Sequence, residues 1–344
     1  MTVRDTLGMF DAAAAFPEQV EQALAEAQRD AVALPAHADI ANVLVLGMGG
    51  SGIAGDVLAA VAGPFMSVPI VVCKNYEPPS FVDESTLVLA LSFSGDTEET
   101  VKALQTAAVA GGKVVVVCRD GRLAELAEGW KAHVLRLPDG IPMPRAGLGA
   151  LIVPPLVALE QIGLFPGAGD WIARAVDQLR RRRDELVADA NPAAELARRI
   201  VRTLPIVYGG GEICAVAAAR WKAQCNENAK VAAFANTHPE LCHNEICGWG
   251  QHGDLTRQVF TLVNLRHDHE HPQVMRRFDL VSGMVDEVLA GVHEVRAEGD
   301  GALAQLLDLT LFGDFTTLHL AAQEGLDPGP VPALVEVKAT LAQG

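Results

Sequence analysis

Five short runs in the first 140 residues are apolar almost without interruption: NVLVLGMG, PIVVCKN, LVLALSFSG, KVVVVCR and HVLRLP. Their length and β-branched content predict strands, and the missing alternation predicts a sheet covered on both faces. Between them, GIAGDVLAAVAG, DTEETVKALQTAAVAGG and GRLAELAEGWKAH carry helical periodicity. Strand–helix alternation of this kind predicts a parallel α/β sheet flanked by helices. A long charged segment follows, DWIARAVDQLRRRRDELVADANPAAELARRI, helical in period. Its run Arg180–Arg183 has Asp177, Asp184 and Glu185 beside it, which predicts a solvated connecting helix rather than a basic patch. The pattern then restarts with LPIVYGGG, AVAAARWKAQCNENAK, VFTLVNLR, VHEVRAEG and QLLDLTLFGDFTTLHLAAQEGL. Two α/β domains are predicted, residues 1–168 and residues 169–344, the second opening on the connecting helix.

Composition narrows the partners. The chain has 344 residues, half of them hydrophobic and 20% charged, with a formal net charge of −16. That balance suits a globular protein and argues against nucleic acid or anionic membrane as partners, since phosphates seek basic faces. Near the N-terminus Asp5, Asp11 and Glu18 interrupt any signal-peptide apolar region. The longest apolar stretch, LGALIVPPLVAL, is too short for a membrane span and contains Pro154 and Pro155. A cytoplasmic protein is expected. The six cysteines read as reduced, buried, small hydrophobes. Cys242, His243, Cys247 and His252 raise a metal question, but a structural zinc site would show a tighter Cys-x-x-Cys pairing. HDHEH (His267, His269 and His271) reads as a surface loop, and no metal is expected there either.

Two glycine- or hydroxyl-rich loops follow strands. GMGGSGIAGD places Gly47, Gly49 and Gly52 in the spacing of a dinucleotide fingerprint. That fingerprint needs an acidic residue at the end of the second strand to hold a ribose. The strand ends instead in Cys73-Lys74-Asn75, where Lys74 leaves only a phosphorylated dinucleotide open. A ligand-free tight turn is a second reading. The third takes Ser51, next to Gly50, as part of a phosphate cradle at a helix start. LSFSGDTEET supplies Ser92, Ser94 and Thr97 after another strand, and loops at the carboxyl ends of parallel strands converge on one crevice. Plain helix capping by Ser94 or Asp96, with Glu99 in support, is compatible with this.

One further stretch breaks its pattern. In AVAAARWKAQCNENAK a carboxylate, Glu227, stands between Asn226 and Asn228 where an apolar helix ends. Either this is a frayed, solvated end, or it is a general base in a polar pocket. The negative end of a helix dipole favours proton uptake, and one carboxylate can carry a proton between adjacent carbons. Arg145, after GIPMP, opens a predicted helix and suits a developing oxyanion, with a rim salt bridge as the alternative.

The two loops together resemble the sugar isomerase (SIS) domain, a phosphosugar-binding α/β unit. NENAK at 226–230, PELCHNEICGW at 239–249, PRAGLG at 144–149 and DPGPVPALVEVK at 327–338 resemble the bifunctional phosphoglucose/phosphomannose isomerase family, over nearly the whole chain. The resemblance implies two SIS-type domains and a cofactor-free, metal-free aldose–ketose isomerase acting through an enediol(ate). Its substrates would be glucose 6-phosphate and, where the second epimer is accepted, mannose 6-phosphate, each exchanged with fructose 6-phosphate. It also implies a homodimer with shared active sites, each borrowing a histidine from the partner subunit. By match, Glu227 is the base, His243 the ring-opening histidine, Lys338 the lysine near the ring oxygen and Arg145 the enediolate-stabilising arginine. Gly50, Ser51, Ser92, Ser94 and Thr97 form the phosphate loops. Gly329 departs from the family, which often carries a hydroxyl residue there, and that bears on which sugar epimers are accepted. Cys225 replaces a larger apolar residue. A phosphosugar-binding regulator without catalysis is the alternative that the full residue set argues against.

Overall fold

A computed structural model describes residues 4–29 and 34–341. In chain order its main elements are α1 (Met9–Ala14), α2 (Phe16–Arg29), β1 (Asn42–Leu46), α3 (Gly49–Val61), β2 (Ile70–Cys73), β3 (Thr86–Ser92), α4 (Glu98–Val109), β4 (Lys113–Cys118), α5 (Gly121–Gly129), β5 (His133–Arg136), α6 (Leu148–Ile162), α7 (Ala168–Leu186), α8 (Pro192–Ile200), β6 (Leu204–Gly210), α9 (Gly211–Glu227), β7 (Phe234–His238), α10 (Gly253–Val259), β8 (Phe260–Arg266), α11 (Pro272–Val285), β9 (Gly291–Arg296), α12 (Ala302–Gln323) and α13 (Pro332–Leu341). There are two parallel sheets, ordered β2-β1-β3-β4-β5 and β7-β6-β8-β9. The chain forms two compact units. One comprises Ala15–Arg182 with Ala297–Asp308; the other comprises Met1–Ala14, Arg183–Arg296 and Leu309–Gly344.

In the five-stranded unit the apolar runs are strands, and both faces of the sheet are covered. Leu44, Leu46, Val88, Ala90, Val116 and Cys118 pack on α4 and α5 through Leu104, Ala107, Leu123 and Ala127. On the other face α3 lies so close to the sheet that a Cβ at Gly55 would come within 3.0 Å of Val45 and Val72 side chains. The LGALIVPPLVAL stretch is α6, buried along its length except at Glu160 and Gln161. Burial of this kind stabilises by about 1.5–3 kcal/mol per large aliphatic side chain, enough to hold a helix through two internal prolines.

The arginine run departs from the expectation of a solvated helix. Arg182 is buried and makes two 2.8 Å bonds to the fully buried Asp308. Asp308 also accepts from Gln178 Nε2 and from the Glu298 backbone N–H. A buried charge needs such a complete set of partners. The connecting segment is two helices, because Asn191 caps α8 through the Ala194 N–H and Pro192 takes the first helical position.

In the four-stranded unit Ile206, Tyr208 and Leu262 face Val274, Phe278 and Val281 of α11. α9 and α12 are joined by stacking of Trp221 on Phe312, and by a polar seam. Arg220, Gln224 and Asn228, spaced i, i+4 and i+8, meet Asp314 at 2.7 and 2.8 Å and Thr317 at 3.0 Å. Much of the polarity that interrupts α9 is this seam. The HDHEH segment is not wholly a surface loop either. His267 is buried, its Nε2–H donating to the Gly210 carbonyl at 2.9 Å, and burial pushes its pKa down. Glu270 beside it is buried in a bidentate pair with Arg266. Among the described residues no group of three or more His, Cys, Asp or Glu is arranged to hold a metal ion, and no helix is long and apolar enough to cross a membrane.

Candidate active site

The strand order places the reversal of connection direction between β1 and β3, whose ends are adjacent through the Leu46–Ala90 register pair. Ligands of open α/β sheets bind at such a switch point. The loop after β1 wraps tightly there: a Cβ at Gly47 would meet the Ser51 backbone at 3.0 Å and the Leu91 carbonyl at 3.1 Å. α3 then starts with no side-chain cap, and Ser51 is buried in its first turn. After β3, the Ser92 hydroxyl accepts from the Gly95 N–H at 3.1 Å and bonds the Thr97 hydroxyl at 2.9 Å. Ser94 is exposed and accepts from the Asp96 N–H. The capping reading is corrected here. Asp96 accepts from the Arg122 N–H and caps α5, while α4 is preceded by Thr97 and has no side-chain cap. Two helix N-termini therefore open on the same crevice, each with a hydroxyl nearby.

Arg145 joins this group. A Cβ at Gly50 would lie 3.5 Å from the Pro144 carbonyl and 3.7 Å from Arg145 Cα, so the turn Pro144–Ala146 rests against the first turn of α3. Arg145 itself is buried. Its turn is held by Gln19, which donates to the Ala146 carbonyl at 2.9 Å and accepts from the Ala150 N–H. Nothing in the local pattern around Gln19 signalled that role. Gly52 packs under the Lys74 stem, and the Lys74 ammonium pairs with Asp56. Burial raises the pKa of Asp56, against the lowering effect of Lys74. The position where a dinucleotide ribose needs a carboxylate thus carries a cation already engaged.

The remaining candidates lie in the four-stranded unit. Glu227 is the last residue of α9 and half-buried. The amide of Asn226 donates to the Val231 carbonyl at 2.8 Å, closing the turn that follows. His243 is exposed, at the end of a short 3₁₀ turn. Leu241 packs into this unit's core, with Ile246 and Trp249 partly buried against it. Glu245 pins the segment by accepting from the Tyr208 hydroxyl and the Asn236 amide, and Trp249 Nε1 donates to Tyr208 at 3.3 Å. Burial, reinforced by the Glu245 carboxylate, pushes the Tyr208 pKa up and keeps it a donor. Lys338 is exposed on α13, which buries none of its residues. A side chain at Gly329 would meet Leu7 at 2.8 Å, so a hydroxyl residue would fit there only if Leu7 shifted.

Both halves of the chain match SIS-domain families. Residues 38–139 match the family described as "SIS domain", and residues 189–341 match "Bacterial phospho-glucose isomerase C-terminal SIS domain". The chain is 34% identical to the bifunctional phosphoglucose/phosphomannose isomerase of Caldicellulosiruptor bescii, over 97% of this chain and 99% of that protein. It is 31% identical to the enzyme of the same name from Thermoplasma acidophilum, over 86% and 88%. The fold is shared with tagatose-6-phosphate ketose/aldose isomerase from Escherichia coli, at a TM-score of 0.72 and 14% identity, covering 94% of this chain and 95% of that one. The chain belongs to the bifunctional phosphoglucose/phosphomannose isomerase family and is an enzyme of the isomerase class.

Proposed function

We propose that this enzyme interconverts glucose 6-phosphate and mannose 6-phosphate with fructose 6-phosphate through an enediol(ate). The observation that carries the reading is the pair of uncapped helix N-termini at the β1/β3 switch point, lined by Gly50, Ser51, Ser92, Ser94 and Thr97, with Arg145 against them. Backbone N–H groups and hydroxyls there suit a phosphate monoester. Glu227 moves the proton between C1 and C2, a contribution of about 10²–10⁴-fold for a well-placed base. Arg145 stabilises the charge developing on the enediolate oxygen. Lys338 assists at the ring oxygen.

The working enzyme is a homodimer, and the partner subunit's His243 opens the sugar ring. The exposure of His243 on a pinned segment supports this, as do Leu334, Val335 and Val337, exposed on α13. The buried thiols of Cys118, Cys214 and Cys225 fit a reducing, cytoplasmic setting. A subunit-mixing assay tests the assignment. Glu227→Gln and His243→Ala proteins should each lose at least about 10²-fold in turnover while still binding inorganic phosphate. Mixed equally, they should recover activity in about a quarter of the sites, because half of the dimers are mixed and each has one intact site. No recovery after verified subunit exchange would assign His243 to its own chain. Near-native turnover of Glu227→Gln would remove the base.

A further inference from the structure

The last carbonyls of any α-helix lack intrahelical partners, and a glycine in the left-handed region usually ends the run. After α9 that region is occupied by Lys230, at φ +56°. An L-residue adopts this backbone only at a cost, so something favours lysine here. Its ammonium donates to three converging carbonyls: Glu227 at 2.6 Å, Asn228 at 3.3 Å and Pro328 at 3.0 Å. Two belong to the helix end that carries Glu227. The third belongs to a segment that is anchored independently, since Asp327 accepts from the Thr6 hydroxyl at 2.6 Å and from the Gly329 N–H at 3.1 Å.

Packing holds this turn on one side only, where Asn228 and Ala229 are buried. A cavity of about 580 Å³ lies along Ala229, Lys230 and Val231 and is lined also by Ile200, Val259 and Leu326. The turn after Glu227 therefore has no close-packed buttress on that side, and dense packing is what normally fixes a backbone. We propose that Lys230 is a positioning residue for the proton-transferring carboxylate: its ammonium locks the Glu227 backbone to the Asp327–Gly329 segment. The proposal rests on the reading of Glu227 as the base. A small backbone displacement of a reacting group is expensive, a misplacement of about 1 Å costing up to roughly 10²-fold in rate.

The test separates the ammonium from the turn. Lys230→Met keeps the stem and removes the charge, while Lys230→Gly removes both and relieves the backbone. Both variants should lose at least about 10-fold in kcat, the smaller part of the cost of a 1 Å misplacement, with KM and the inhibition constant of inorganic phosphate unchanged. Lys230→Arg should recover part of the loss, since a guanidinium also donates to several carbonyls. The double variant Glu227→Gln/Lys230→Met should be no slower than Glu227→Gln alone, because positioning is worthless without the base. Circular dichroism at the assay temperature shows which variants are folded, and if Lys230→Met is not, the relieved Lys230→Gly decides. Wild-type kcat in either folded variant overturns the proposal, and so do additive losses in the double variant. A turn-only role would leave Lys230→Gly as fast as wild type. If Glu227→Gln itself keeps wild-type turnover, the base assignment has failed first; if it is slow and Lys230→Met and Lys230→Gly are not, only the positioning role has failed.

Discussion

Gly95 is the most constrained position in the Ser92–Thr97 loop. It has φ +84°, and a Cβ there would lie 1.6 Å from the Asp120 carbonyl, a backbone atom that cannot swing away. Gly95→Ala should therefore cost about 3 kcal/mol or more, the range of severe single substitutions, and weaken inhibition by inorganic phosphate in whatever protein folds. Gly49→Ala is the matched control: φ is +53° but nothing lies within 4 Å, so about 1 kcal/mol of left-handed backbone cost is expected. Urea unfolding of the two variants should rank them so; equal losses would mean that backbone angle alone sets the requirement. At this scale the sequence was most legible where a residue type contradicts its surroundings. Ser51, Ser92 and Thr97 stand out after strands, and Glu227 stands out in an apolar helix. Gln19, Lys230 and Glu245 do not, because their roles depend on hydrogen-bond partners 127, 98 and 37 residues away.

Among the elements, α9 and α12 show what the polar seam contributes. Asp314 accepts from Arg220 and Gln224, both buried. Asp314→Ala would leave a buried guanidinium without its carboxylate, and such losses run to about 3–5 kcal/mol. The expected result is a lower urea midpoint with an unchanged slope; a change below about 1 kcal/mol would mean that the seam is solvated enough to behave as a surface pair. Strands with continuous apolar runs were legible for a plain reason, being buried on both faces. β7, FANTH, was not: it lies at the edge of its sheet, carries polar residues and leaves Phe234 exposed. α6 was seen only as an apolar stretch, because its paired prolines argue locally against the helix that burial stabilises.

Over the whole molecule, the four-stranded unit holds the residues that should fail first in mild acid. His238, His267, His293 and His319 all belong to it, and burial is the largest cause lowering the pKa of each. For His238 burial, aided by Arg266 and Arg277, brings the pKa from 6.5 down to about 4. The unfolded chain then takes up the proton first, so stability is complete above about pH 6.5, falls as the pH drops towards 4 and levels below that. His238 alone should cost about 2 kcal/mol at pH 5. Hydrogen exchange at pH 5 and 7.5, corrected for intrinsic rates, should show protection lost from β6 and β8 before β1 and β3; equal loss in both sheets would contradict it. The Arg182–Asp308 pair has a consequence of another kind, for synthesis. Its partners are 126 residues apart in the chain. At the ribosome's pace of about 5–20 residues per second, Arg182 leaves about 6–25 s before the carboxylate that neutralises it. The five-stranded unit thus cannot finish folding when its last strand emerges. It must wait, with a guanidinium still in water, until most of the other unit has been made.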